Sequence, residues 1–157
     1  MALRQIVTEG DPVLRKVCRE VKEVTDRTKM NIGDMVDTMR DASGVGLAAP
    51  QIGIMRRMFV AEPAPGELYC FINPEITMRE GLQESEEGCL SVPGYVGLVD
   101  RPEKIHIKGL DRNGDPQEFT FEGFPAIVMS HEYDHLDGIL YKDKAKKMFR
   151  MKEEGEE

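Results

Sequence analysis

The chain has 157 residues, 32% of them charged and 40% apolar, which suits one globular domain with a single core. Its formal net charge of −8 argues against broad electrostatic binding to nucleic acid or to an anionic membrane, while leaving room for a local basic patch. No apolar run approaches the roughly 18 residues of a membrane span, and the first residues resemble neither a signal peptide nor a transit leader, so an intracellular, cytoplasmic location is the expectation.

Three cysteines, Cys18, Cys70 and Cys89, make a disulfide framework an unattractive reading. Cys18 and Cys70 read as small buried hydrophobes. Residues 1 to 24 carry a turn signal at Gly10-Asp11-Pro12 and read as an arm packed on the domain. From Thr25 to Ala42 the apolar residues Ile32, Met35, Val36 and Met39 follow helical spacing, with Thr25 or Asp26 as cap and Gly44 as the stop. That methionine stripe is expected in the core. The next stretch, Gly44 to Gly53, is dominated by small residues. It reads either as a plain loop or as backbone that a ligand approaches, with Gln51 as the polar group facing it.

Arg57 to Glu122 carries β signals. Met58-Phe59-Val60 and Leu68 to Ile72 are short apolar runs, and Asn73-Pro74 reads as a turn before Ile76-Thr77-Met78. Lys104 to Lys108 alternates polar and apolar, and Asp111 to Asp115 is a hairpin turn leading into Glu118 to Phe121. A mainly antiparallel sheet is expected. Gly123-Phe124-Pro125 then opens a helix whose first turns are apolar, with Gly138 as its stop. Beyond it, Tyr141 to Lys152 is rich in Lys and Arg and reads as a C-terminal helix from about residue 143, followed by an acidic tail to Glu157.

The second half of the Gly123–Gly138 helix carries His131-Glu132-Tyr133-Asp134-His135, an H-E-x-x-H pattern. On a helix, the two histidines at i and i+4 share a face and can hold one metal ion, with Glu132 beside the ion's open position. Two of the chain's three histidines fall here. A catalytic metal usually takes a third protein ligand. No histidine follows His135, and His106 sits in an alternating strand. The acids after His135 are either too close in sequence or in a highly charged segment. Cys89, in Gly88-Cys89-Leu90-Ser91-Val92-Pro93-Gly94, is the better candidate, since a thiolate suits borderline and soft divalent metals. Two rivals stand beside this reading. One is a metallopeptidase with a downstream acid as third ligand; the other is a binding module that keeps a structural zinc.

Three stretches, GVGLAAPQIG, EGCLSVPG and HEYDHLDG, taken in this order and spacing, resemble the peptide deformylase family of bacterial type. The resemblance runs from GDPVLR near the N-terminus to LDGILY. It implies an α+β fold of mainly antiparallel sheets around a central helix that carries the histidines. It implies removal of the formyl group from the N-terminal methionine of nascent proteins, with metal-bound hydroxide attacking the formyl carbon. Cys89, His131 and His135 match the family's metal ligands, and Glu132 its general acid/base. Gln51 and the Leu90 N–H match the groups that stabilise the oxyanion, and Gly46 the glycine that meets the substrate backbone. Fe(II) is the implied native metal, with Ni, Co or Zn able to replace it. Val45, Ile127 and Val128 are the expected walls of a methionine pocket. Ser130 stands where the family commonly has Gln. Lys144, Lys146, Lys147, Arg150 and Lys152 could dock the C-terminal segment on the ribosome, although a solvated face explains them as well.

Overall fold

The computed structural model describes residues 2–151. Lys152 and the acidic tail therefore lie outside the described residues. The helices are α1 (Asp26–Asp41), α2 (Phe124–His135) and the short α3 (Tyr141–Lys144). The strands are β1 (Gly46–Ala48), β2 (Met58–Ala61), β3 (Tyr69–Glu80), β4 (Gln83–Cys89), β5 (Val92–Arg101), β6 (Lys104–Leu110), β7 (Pro116–Glu122) and β8 (Ala145–Arg150). They form a five-stranded sheet in the order β1-β2-β3-β6-β7 and a three-stranded sheet in the order β4-β5-β8. Every ladder in both sheets is antiparallel. The fold is α+β.

The apolar run of β2 shows why α1 and α2 cover the five-stranded sheet. All four of its residues are buried. Successive side chains of a strand point to opposite faces, so a run that is apolar throughout needs cover on both sides. Phe59 and Ala61 join the core under α2, with Phe71, Ile105, Ile107, Ala126 and Met129. Met58 and Val60 join the core under α1, with Ile32, Met35, Val36 and Met39. The methionine stripe is thus core, as expected. A third cluster, Leu14, Val92, Val99, Leu140 and Tyr141, fills the space beside the three-stranded sheet.

Thr25 caps α1 and shares a reciprocal pair of hydrogen bonds with Thr28. The helix ends at Asp41 with Ala42 as its cap, and Ser43 rather than Gly44 takes the positive φ, 56°, while the Gly44 N–H reaches back to the Met39 carbonyl at 2.9 Å. The small-residue stretch that follows is more than a loop. It holds β1 and a 3-10 turn at Ala49–Ile52.

Asn73-Pro74 is not a turn. Strand β3 runs through it with a register shift against β6 between Ile72 and Glu75. The missing proline N–H is tolerated at such a bulge. Asn73, at φ 51°, spends its amide on Val21, accepting from its N–H and donating to its carbonyl, both at 2.8 Å. Pro93-Gly94 lies inside β5, and Cys89 is the last residue of β4.

Among the described residues, the C-terminal basic segment is not a helix beyond Lys144. It continues as β8, pairing Val96 with Phe149 and Leu98 with Lys147. The free edge of β5 needs a partner for its backbone, and that pairing outweighs the helical preference of a Lys-rich run.

Candidate active site

Helix α2 is buried on most of its surface, from Ala126 to His135. His131 and His135 lie one turn apart on it, with ring centroids 5.1 Å apart. Cys89, at the end of β4, meets them from the other sheet: its Sγ is 3.4 Å from His135 Nε2. One ligand atom from each of Cys89, His131 and His135 falls within 4.8 Å of the others, a spacing that one metal ion could bridge. It is the one such cluster of three or more metal-ligating groups found among the described residues. His106 is elsewhere, bonded to Thr120 across the β6–β7 ladder at 2.8 Å. The acids near the motif are engaged too: Asp134 with Arg101 and Lys144, Asp137 with Arg57.

The donor set fits a borderline divalent metal, with one sulfur and two imidazole nitrogens. The surrounding charges prepare for it. Burial opposes the charge on His131, but hydrogen bonds to Cys89 and Glu87 and the Glu132 carboxylate outweigh it, taking its pKa to about 10. His135 is pushed well below the ordinary value by burial and then by the His131 and Arg101 charges. One imidazole is thus already neutral, and a dication would take the place of the proton on the other. His135 Nδ1 is buried without a hydrogen-bond partner.

Glu132 faces the same space. Its Oε1 is buried with no partner. An unpaired buried carboxylate is costly, and burial raises its pKa to about 7. A Cβ built on Gly46 would lie 2.5 Å from Glu132 Oε2. Any other residue there would push the carboxylate aside, so the glycine is needed for the close approach. Gln51 is held in the 3-10 turn: its Oε1 accepts from the Ala48 N–H at 2.9 Å. Its Nε2 donates to Ser91 Oγ at 3.0 Å and more weakly to Cys89 Sγ at 3.6 Å. The N-terminal arm ties the two segments together: the Val7 N–H donates to the Gln51 carbonyl and the Glu9 N–H to the Ser91 carbonyl, both at 2.7 Å.

Cys89, His131, Glu132, Gly46 and Gln51 open on a cleft of about 370 Å³. Val45, Gly46, Leu90, Ile127 and Val128 line it, so the expected pocket residues are brought together at one place. Cys18 is buried as expected, while Cys70 is only half-buried. Ser130 Oγ is buried without a partner, and it does not line the cleft.

Four neighbours of the site were not legible in the sequence. Glu87 accepts from His131 Nδ1 at 2.8 Å, which orients the ring. Arg101 grips Glu87 with two 2.8 Å hydrogen bonds and Asp134 with a third of the same length. Those hydrogen bonds more than offset burial and hold the Glu87 carboxyl down at about 2. Tyr141 stacks on His131 at 5.9 Å. Ser91 anchors Gln51. A signal existed for Glu87 alone: in a strand, residue i−2 shares a face with residue i, which puts it beside Cys89.

The family model described as polypeptide deformylase matches residues 3–151. Peptide deformylase 1 of Clostridium perfringens is 48% identical over 144 residues, covering 91% of this chain and 98% of the relative. The peptide deformylase of Symbiobacterium thermophilum is 46% identical over 159 residues, 100% of this chain and 73% of the relative. The crystal structure of peptide deformylase from Thermotoga maritima superposes with a TM-score of 0.91 at 38% identity, covering 94% of this chain and 100% of that one.

Proposed function

The chain belongs to the polypeptide deformylase family, whose members remove the N-formyl group from the N-terminal methionine of nascent proteins, and on that premise we propose how its own residues divide the work. The observation that carries the reading is the Cys89–His131–His135 cluster with the unpartnered Glu132 carboxylate beside it. In this reading those three residues hold one divalent metal, natively Fe(II), and the whole chain acts as one catalytic domain in the cytoplasm. The metal, when bound, supplies a Lewis acid and a water acidified to near neutral pH.

The remaining chemistry belongs to the chain. Glu132 accepts the proton of the attacking water and returns it to the departing amine, which is otherwise a poor leaving group. Gly46 keeps the space for that carboxylate. As negative charge grows on the formyl oxygen, the Leu90 N–H and the Gln51 amide donate to it. Of the two Gln51 Nε2 contacts, the 3.6 Å one to Cys89 is the weaker and the one a substrate would claim. Val45, Ile127 and Val128 receive the methionine side chain. The peptide backbone runs extended past Gly46 and the segment after Leu90.

Gln51→Ala is expected to lower kcat by about a hundredfold with KM little changed, because an oxyanion donor acts mainly in the transition state. A loss confined to KM would remove Gln51 from that role.

The decisive test is purification without oxygen, with bound metal and formate release from formyl-Met-Ala both measured. Wild type is expected to carry about one iron per chain and to release formate. Cys89→Ser is expected to lose most of both. Unchanged metal and activity in Cys89→Ser would return the site to a metallopeptidase-like arrangement with an acidic ligand. Asp134 and Asp137, engaged with Arg101, Lys144 and Arg57, speak against that alternative.

Nascent chains come from the ribosome, and we propose docking there through β8, with Lys146 and Lys147, rather than through a helix. A Lys146→Glu/Lys147→Glu variant is expected to co-sediment less with ribosomes at low salt while hydrolysing formyl-Met-Ala normally. Equal co-sedimentation would end the idea.

A further inference from the structure

Three short segments supply the chemistry, and they come from different parts of the fold. Gly46 to Gln51 belong to the edge of the five-stranded sheet and the 3-10 turn after it. Cys89 and Leu90 sit at the tip of the β4–β5 hairpin in the other sheet, and His131 to His135 lie on α2. The N-terminal arm touches all three segments. The Val7 N–H donates to the Gln51 carbonyl, and the Glu9 N–H donates to the Ser91 carbonyl. The Cys18 N–H donates at 2.8 Å to the carbonyl of Leu136, one residue past His135.

The hairpin tip needs such a partner. Cys89 pairs with Val92, so Leu90 and Ser91 form a two-residue loop. Loops of that length favour positive φ, which matches the twist of the flanking strands. Neither Leu90 nor Ser91 has a positive φ. The loop is held from outside instead. Fully buried Ser91 accepts from Gln51 Nε2 through its hydroxyl and from the Glu9 N–H through its carbonyl. Gln51 is held by Ala48 and Ser91 on its side chain and by Val7 on its backbone. Val7 and Glu9 are two residues apart, so their Cα atoms can be no more than about 7 Å from each other. That length of chain spans the gap between the two oxyanion donors.

The arm has its own anchors. Gly10 takes a φ of 105°, and Asp11 caps a 3-10 turn at Pro12–Arg15. Leu14 is buried with Val92 and Tyr141. Arg15 pairs with Asp143, and Glu9 with Lys142. A Cβ built on Gly138 would lie 2.5 Å from the Arg15 carbonyl oxygen, so the arm passes close against the turn that follows α2.

We infer that Val7 and Glu9 are positioning residues for the hydrolysis of the formyl group. Their backbone N–H groups hold the Gln51 amide and the Leu90 N–H at the separation from which both reach one oxygen. Neither residue lines the cleft, so the arm acts through those two donors and not on the substrate. This rests on the deformylase reading of the cleft.

Val7→Pro and Glu9→Pro each delete one of the two N–H groups. Each is expected to lower kcat for formyl-Met-Ala about tenfold, because small misplacements of groups that act in the transition state are costly. KM and the metal bound per chain should stay at wild-type values. Two controls separate these hydrogen bonds from general loosening. Thr8→Pro alters the same arm, but the Thr8 N–H makes no hydrogen bond among the described residues. Lys142→Met removes the partner of the Glu9 side chain and leaves the Glu9 N–H in place. Both controls are expected to keep wild-type kcat. In a Gln51→Ala background, Val7→Pro should cost less than about twofold, since the donor it places is gone. If a proline variant does not fold, an ester in place of the Ile6–Val7 or Thr8–Glu9 peptide bond removes the same hydrogen and carries the same expectation. It is built by joining a synthetic segment 1–17 to Cys18 of the remaining chain. Wild-type kcat in both proline or ester variants overturns the positioning role. So does an equal loss in Thr8→Pro, an undiminished loss in the Gln51→Ala background, or metal lost in step with activity. In each of those cases hydrolysis by wild type still stands. No hydrolysis of formyl-Met-Ala by wild type overturns the deformylase reading, and the role of the arm with it.

Discussion

Glu132→Gln is expected to lower kcat/KM for formyl-Met-Ala by about a thousandfold while leaving bound metal unchanged. The magnitude is that of losing a positioned general acid/base, typically between about 10² and 10⁴. Gln keeps the size of Glu132 and its fit against Gly46, so the change is confined to proton transfer. Metal content should not move, because Glu132 lies outside the Cys89–His131–His135 cluster. The pH profile gives a second reading of the same group. Burial raises the Glu132 carboxyl to about 7 in the metal-free protein. A dication beside it favours the ionised form and draws that value down. The base must be ionised to accept a proton, so kcat/KM falls on the acid side of the shifted value, by about tenfold per pH unit. That acid limb should be missing from the residual activity of Glu132→Gln. A variant that keeps more than about a tenth of wild-type activity, with its acid limb intact, would assign the proton transfer to another group.

Much of the site could be read from the residues, because the chemistry is local in sequence at each end. His131, Glu132 and His135 depend only on helical spacing, and α2 supplies it. Gly46 and Gln51 fall within one short segment. What could not be read depends on which strand lies beside which. Arg101 is 14 residues from Glu87 and 33 from Asp134. Its part in the site exists only through the register of β4 on β5, where Glu87 pairs with Gly97. The same holds at the C-terminus. A Lys-rich run reads as helix until the unpaired edge of β5 is known, and with the strand comes the placement of Met151 in the cleft. Local patterns placed the helices. Long-range pairing decided the bulge at Asn73-Pro74, the β4–β5 hairpin and the last strand.

Arg101→Met is expected to destabilise the protein by about 3–5 kcal/mol, the usual cost of removing one partner from a buried ion pair. For a domain of this size that corresponds to a fall in Tm of roughly 10–15 °C. Arg101 is 2% exposed and is the shared partner of Glu87 and Asp134. Asp134 keeps Lys144 at 2.9 Å. Glu87 would keep only His131, so most of the loss should pass through Glu87. The double variant Arg101→Met/Glu87→Gln should therefore recover part of it, a non-additivity expected of residues in one network. The pH dependence carries a definite sign. In the metal-free wild type, Glu87 is held at about 2 against an ordinary 4.5, so the unfolded chain binds its proton first as pH falls. Its contribution, about 3 kcal/mol, is present above pH 4.5 and is lost as pH falls toward 2. Without Arg101, burial becomes the leading influence on Glu87 and raises its carboxyl instead. The folded variant then takes up the proton first and gains stability on acidification. The Tm gap between wild type and Arg101→Met, measured on metal-stripped protein, should accordingly narrow as pH is lowered from 7 to 4. A gap that stays constant across that range would mean that the Glu87 carboxylate is not what Arg101 stabilises.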